Sequence, residues 1–184
     1  SVAENTTAVM TVTATDADQP AQTLTYSISG GADAARFQID ANTGVLSFLT
    51  APDFEAPADT DGDNIYDITV QVSDGQGGTD TQAIAVTVTS ANDSAPVITS
   101  PGTASVAENT TAVMTVTATD ADQPAQTLTY SIIGGADAAR FQIDANTGVL
   151  SFLTAPDFEA PTDAGGNNVY DVTVQVSDGQ GGTD

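Results

Sequence analysis

The chain has 184 residues, enough for two small domains, and its 2 Lys and Arg against 25 Asp and Glu give a formal charge of -23. That balance disfavours nucleic acid and anionic membrane faces as partners, and it makes multivalent cations the natural counter-charge. Cys, His and Trp are absent, which excludes disulfides, thiolate or imidazole metal ligands, and Ser or Thr nucleophiles activated by histidine. No apolar run reaches the roughly 18 residues of a transmembrane helix, so membrane attachment is expected only through other parts of a longer polypeptide.

Residues 1–80 and 105–184 align without a gap at an offset of 104, differing only at positions 29, 58, 60, 61, 63, 65 and 68 of the first copy. A period this long exceeds a solenoid unit, so each copy should hold its own core. The expected organisation is a first repeat over 1–91, a linker over 92–96 and a second repeat over 97–184. The first copy has no counterpart of Ala95–Ala104 before it, and the second none of Thr81–Ser90 after it. Each is therefore expected to be one strand short at its outer end.

In chain order, "AVMTVTATD" sets Val9, Val12 and Ala14 at alternating positions, and "TLTYSI" sets Leu24, Tyr26 and Ile28. "RFQIDANTGVLSFL" reads as two short strands, 37–40 and 45–49, joined by an Asn-Thr-Gly turn in which Gly44 takes positive φ. "YDITVQVSD" turns Ile68, Val70 and Val72 inward, and "TQAIAVTVT" does the same for Ile84, Val86 and Val88. A two-residue period, Thr and Val enrichment and turns about every ten positions predict an all-β chain of tandem seven-stranded Greek-key sandwiches of Ig-like type.

Most acidic residues fall in short clusters at the predicted strand ends: Glu4, Asp16 with Asp18, Asp53 with Glu55, Asp74, and Asn92 with Asp93 at the junction. Copy two repeats them as Glu108, Asp120 with Asp122, Asp157 with Glu159, and Asp178. Any one of them reads equally well as a capped turn. Gathered together, carboxylates repel and need a cation or raised pKa values. Calcium suits such hard oxygen donors best.

The ordered series Ala3-Glu4-Asn5, Asp16-Ala17-Asp18, "FQIDANTGVL", Asp53-Phe54-Glu55, Asp74-Gly75 and Asn92-Asp93-Ser94-Ala95-Pro96 resembles the extracellular cadherin repeat, of the kind found in long bacterial surface adhesins. The resemblance implies about three calcium ions at the junction between repeats. It assigns them Glu4, Asp53 and Glu55 from the upper repeat, Asn92 and Asp93 from the linker, and Asp120, Asp122 and Asp178 from the lower repeat. It also implies half-sites at the ends, Asp16, Asp18 and Asp74 on one side and Glu108, Asp157 and Glu159 on the other. The implied role is a calcium-rigidified stalk in cell or biofilm adhesion, located outside the cell, with neighbouring repeats of the same chain as partners and homophilic contacts open. Ser90 stands where the family pattern has an acid, and no tryptophan strand exists for strand-swapped pairing.

A calcium-dependent carbohydrate-binding module is the alternative, and it would need rings on the surface, whereas Phe37, Phe48 and Tyr66 fall on inward phases. An enzyme is not expected, because no base is present to activate the hydroxyls. Arg36 and Arg140 are expected to pair with Asp33 and Asp137. The "DTDGD" loop, 59–63, starts like an EF-hand, but Asn64 replaces its glycine and Val70 its bidentate Glu. Its capacity for an ion stays open.

Overall fold

Fourteen strands and two short 3-10 turns make up the chain, all of which, Ser1–Asp184, is described by a computed structural model. By its internal contacts the chain divides into Ser1–Ala91 and Asn92–Asp184.

The first unit has seven strands: β1 (Val2–Ala3), β2 (Ala8–Thr11), β3 (Thr25–Gly30), β4 (Phe37–Ile39), β5 (Val45–Phe48), β6 (Ile65–Ser73) and β7 (Thr79–Thr89). They form two sheets, ordered β1-β7-β6-β3 and β2-β5-β4. Because side chains alternate across a strand, β6 turns Tyr66, Ile68 and Val70 to one face, and β7 adds Val86 and Val88. These meet Val12, Phe37, Leu46 and Phe48 of the other layer in one core. The three rings pack together, Phe37 tilted against Phe48 at 4.3 Å and Phe48 edge-on to Tyr66 at 5.1 Å between centroids. Full burial of each large side chain contributes about 1.5–3 kcal/mol.

The Asn-Thr-Gly turn forms as its sequence implies. Asp40 Oδ1 accepts the N–H groups of Asn42 and Thr43, and Gly44 sits at φ 71. Its carbonyl accepts the N–H of Val12 at 2.8 Å. β2 ends at Thr11, short of the strand read from "AVMTVTATD". Beyond it, Tyr26 OH accepts the N–H of Ala14.

The second unit holds β8 (Val97–Ile98), β9 (Ala112–Thr115), β10 (Ala118–Thr119), β11 (Thr129–Gly134), β12 (Phe141–Ile143), β13 (Val149–Phe152) and β14 (Thr173–Ser177). They pair as β12-β13-β9, β11-β14 and β10-β8. Here Ala118–Thr119 does form a strand, because β8 supplies the partner that Ala14–Thr15 lacks.

The near-identity of the copies isolates what β7 does. In the first unit it pairs with the whole of β6, from Ile65↔Thr87 to Ser73↔Thr79. With no such partner in the second unit, β14 is five residues long where β6 is nine. Tyr66 and Ile68 are each 1% exposed, whereas their counterparts Tyr170 and Val172 are only half-buried. A cavity of about 530 Å³, lined by Val106, Val113, Phe141, Phe152, Tyr170 and Val172 among others, opens on that face.

Candidate metal centres

In the first unit Glu4 follows β1 and its N–H donates to the Thr89 carbonyl at 3.0 Å. That bond aims the side chain along the end of the sandwich, where Oε2 accepts the N–H of Phe54 at 2.7 Å and Oε1 that of Ala91 at 2.6 Å. Glu4 is 2% exposed. Asp53 Oδ1 accepts the N–H groups of Glu55 and Ala56, closing a tight turn that holds the two acids side by side. Glu4, Asp53 and Glu55 each offer an oxygen within 4.8 Å of the other two. The repeat is reproduced by Glu108, Asp157 and Glu159 in the second unit, all exposed. There Glu108 Oε2 accepts the N–H of Phe158 at 3.0 Å.

The linker residues pack within the second unit. Ser94 N–H donates to both oxygens of Asp122, at 3.1 and 3.3 Å, and Pro96 is fully buried. Asn92 Nδ2 donates to Asp178 Oδ2 at 3.4 Å. Asp178 Oδ1 accepts the N–H groups of Gln180, Gly181 and Gly182. These bonds, the one from Gln180 foremost, hold its carboxyl below the usual carboxylate range. Asp120 Oδ1 accepts the N–H of Asp122, while Asp120 Oδ2 is buried with no donor. Asp122 is 1% exposed; Asp93 is exposed.

The opposite half-set of the first unit is not gathered in this way. Asp16 and Asp18 are exposed and tied locally, Asp16 Oδ1 to the N–H of Asp18 and Asp18 Oδ2 to Gln22. Asp74 accepts the N–H groups of Gln76 and Gly78. These three form no carboxylate trio of the kind made by Glu4, Asp53 and Glu55. Their counterparts Asp122 and Asp178 are instead bonded by Ser94 and Asn92 of the linker.

Two acids read as partners of arginine have another role. Asp33, 4% exposed, accepts Thr60 N–H and hydroxyl at Oδ1, both at 2.8 Å, and Asp67 N–H at Oδ2. Asp137 likewise accepts the N–H groups of Ala164 and Asp171. The expected Arg36–Asp33 pair does not form, whereas the Arg140–Asp137 pair does, Arg140 Nε lying 3.8 Å from Asp137 Oδ1. Both carboxylates are spent on pinning the loop before β6 and its counterpart. The signal available in the sequence was "GADAAR", an acid placed outside every turn cluster.

A third trio, Asp59, Asp61 and Asp63, lies in that pinned loop. The charge of Asp63 beside it raises the Asp61 carboxyl above its ordinary value. Throughout these sets the donors are carboxylate and amide oxygens, with neither sulfur nor imidazole. Buried oxygens without donors occur at Asp59 and Asp120. Such donor sets fit calcium and not zinc.

The cadherin domain family model matches residues 1–89 and 102–184, which is nearly the whole chain. The chain belongs to the cadherin family. Human protocadherin Fat 1 is 34% identical over 84% of this chain, and mouse cadherin-23 is 34% identical over 83%. Mouse cadherin-related family member 2 is 33% identical over 74%. The chain spans 3%, 5% and 10% of Fat 1, cadherin-23 and the family member 2 protein respectively. Among solved structures, mouse cadherin-23 EC22-24 matches with a TM-score of 0.71 at 26% identity, over 98% of this cadherin chain and 56% of that one. Human protocadherin-24 EC1-2 matches with a TM-score of 0.73 at 24% identity, over 96% and 81%, and shows the fold.

Proposed function

We propose that this pair of cadherin repeats is a calcium-stiffened spacer of an extracellular adhesion protein, the stalk of a surface adhesin. The observation that carries the reading is the convergence of Glu4, Asp53 and Glu55, each of which offers a carboxylate oxygen within 4.8 Å of the other two. In this reading Asn92, Asp93, Asp120, Asp122 and Asp178 supply the complementary oxygens, and about three calcium ions are shared. Bound calcium would supply the charge neutralisation that lets these acids stay ionised together.

The protein's own contribution is preorganisation. Glu4 is oriented by three backbone partners, and Asp122 and Asp178 are oriented by N–H groups of Ser94 and residues 180–182. Pro96 restricts the chain leaving the linker. A short, acid-bearing junction of this kind hinges when its charges repel and stiffens when they are neutralised. Extracellular calcium suits sites of millimolar to micromolar affinity, which would stand mostly empty in cytosol.

Calcium calorimetry on the two-repeat chain, compared with an Asp93→Ala/Asp122→Ala variant, tests the proposal together with small-angle scattering in calcium and in EDTA. Binding that the double variant loses, with a broader range of interdomain distances in EDTA, is the expected result. Equal calcium binding by both proteins, or scattering indifferent to chelator, overturns it.

A further inference from the structure

The loop at Asp59–Asp63 shares no residue with the set assigned above. It is also where the copies diverge: three of their seven differences, at positions 60, 61 and 63, fall there. Two of these changes remove acids, since Gly165 and Asn167 stand in place of Asp61 and Asp63. The two loops are equal in length and anchored alike on Asp33 and Asp137, so each is a control for the other.

In the second unit both oxygens of Asp163 are satisfied. Oδ2 accepts the N–H of Asn167 at 2.9 Å and Oδ1 that of Asn168 at 3.1 Å. In the first unit Asp59 Oδ2 accepts the N–H of Asp63 at 2.8 Å, but Asp59 Oδ1 is buried with no donor. Asp59 itself is only 8% exposed. Asn64, which follows Asp63, carries a second buried oxygen without a donor, while neither Asp163 nor Asn168 leaves one. Of the two equivalent loops, only the one that carries two further carboxylates therefore has orphaned oxygens.

A buried oxygen left unpaired is unfavourable, and adding two like charges beside it makes it more so. Asp59, Asp61 and Asp63 nonetheless bring an oxygen each within 4.8 Å. The two arginines of the chain, Arg36 and Arg140, form no ion pair with any of them. A cation from solution resolves both problems at once, because it supplies the missing partner of the Asp59 carboxylate and neutralises the added acids. Three carboxylates with only oxygen donors favour calcium, which takes about six to eight hard oxygens, over zinc or copper, which prefer nitrogen and sulfur.

We propose that Asp59, Asp61 and Asp63 bind a calcium ion inside the first repeat, separate from the junction, and that the otherwise equivalent loop of the second repeat does not. Affinity in the range of extracellular modules, about 10⁻⁴–10⁻³ M, suits so small a ligand set.

The test is calorimetric titration of the whole chain with calcium chloride, alongside Asp61→Asn/Asp63→Asn and, separately, Glu55→Gln/Asp122→Asn. Amide shifts of both loops are followed by NMR during the same titration. The loop variant should bind one equivalent fewer, with its melting temperature in EDTA no lower than that of the unaltered protein, which shows it is folded. The junction variant should keep that equivalent, so failure of the junction reading would leave this one standing. Amides of residues 61–64 should move on calcium addition while those of 165–168 stay still. Equal stoichiometry in the unaltered and loop-variant proteins, or calcium-insensitive amides at 61–64, overturns the site.

Discussion

The carboxylate of Glu4 accepts the N–H of Ala91 at 2.6 Å, so a single side chain near the start of the first unit fastens its last residue. The other oxygen of that carboxylate holds Phe54. Replacing Glu4 by Ala leaves two N–H groups without acceptors, at about 1–3 kcal/mol each. Urea unfolding in EDTA should show this loss, whereas Glu108→Ala, at an exposed site with one such bond, should cost less.

Gly44 is fixed by space as well as by conformation. At φ 71, a Cβ there would overlap the carbonyl oxygen of Val12. Gly44→Ala should therefore destabilise the first unit by more than about 1 kcal/mol, beyond the backbone strain alone. Gly75→Ala, at the same φ of 71 with nothing within 4 Å of the added carbon, measures that strain by itself.

Pairing with β7 should be visible in hydrogen exchange. Amides over residues 65–68 lie in the continuous β6–β7 ladder, while their counterparts over 169–172 lie outside any strand. Exchange at 65–68 should be roughly tenfold slower or more. Equal rates would show that β7 adds no local stability.

Acid should destabilise the protein through a few identifiable turns. The N–H groups of Thr43 and Asn42 hold Asp40 below its ordinary value of 3.8, and those of Thr147 and Asn146 do the same for Asp144. A depressed carboxylate contributes stability that is complete above its unfolded value and is lost as pH falls through the folded one. Melting temperature should thus drop below about pH 4, and less steeply in Asp40→Asn/Asp144→Asn. Asp61 has the opposite sign, being raised by Asp63, so in EDTA its protonation relieves repulsion as pH falls.

Chelation tests the calcium reading as a whole. Each ion bound only by the folded form stabilises it by about 2.7 kcal/mol at a hundredfold excess over its dissociation constant. Adding EDTA should lower the melting temperature, and calcium, more than sodium at equal ionic strength, should restore it.

The sandwich was legible in the sequence because strand burial leaves a two-residue alternation, and Tyr66, Ile68 and Val70 point where that alternation puts them. The trio Glu4, Asp53 and Glu55 was legible through motif order. What could not be read depended on partners distant in sequence. Ala14–Thr15 and Ala118–Thr119 have the same local sequence, yet only the latter pair with a strand, because β8 lies beside them. Asp33 looked like an arginine's neighbour, but the N–H groups it serves belong to Thr60 and Asp67, 27 and 34 positions away. The orphaned oxygen of Asp59 has no sequence signature at all, since its satisfied twin Asp163 opens a loop of the same length.

β1 runs parallel to β7, Val2 beside Val88 and Ala3 beside Thr89, and Glu4 extends that seam through Thr89 and Ala91. Tension applied at Ser1 and at Ala91 pulls these two strands past each other lengthwise, so the bonds across the seam share the load at the same moment. An antiparallel seam gripped at adjacent ends would instead open one rung at a time. The first repeat thus meets traction along the chain in shear and not by peeling.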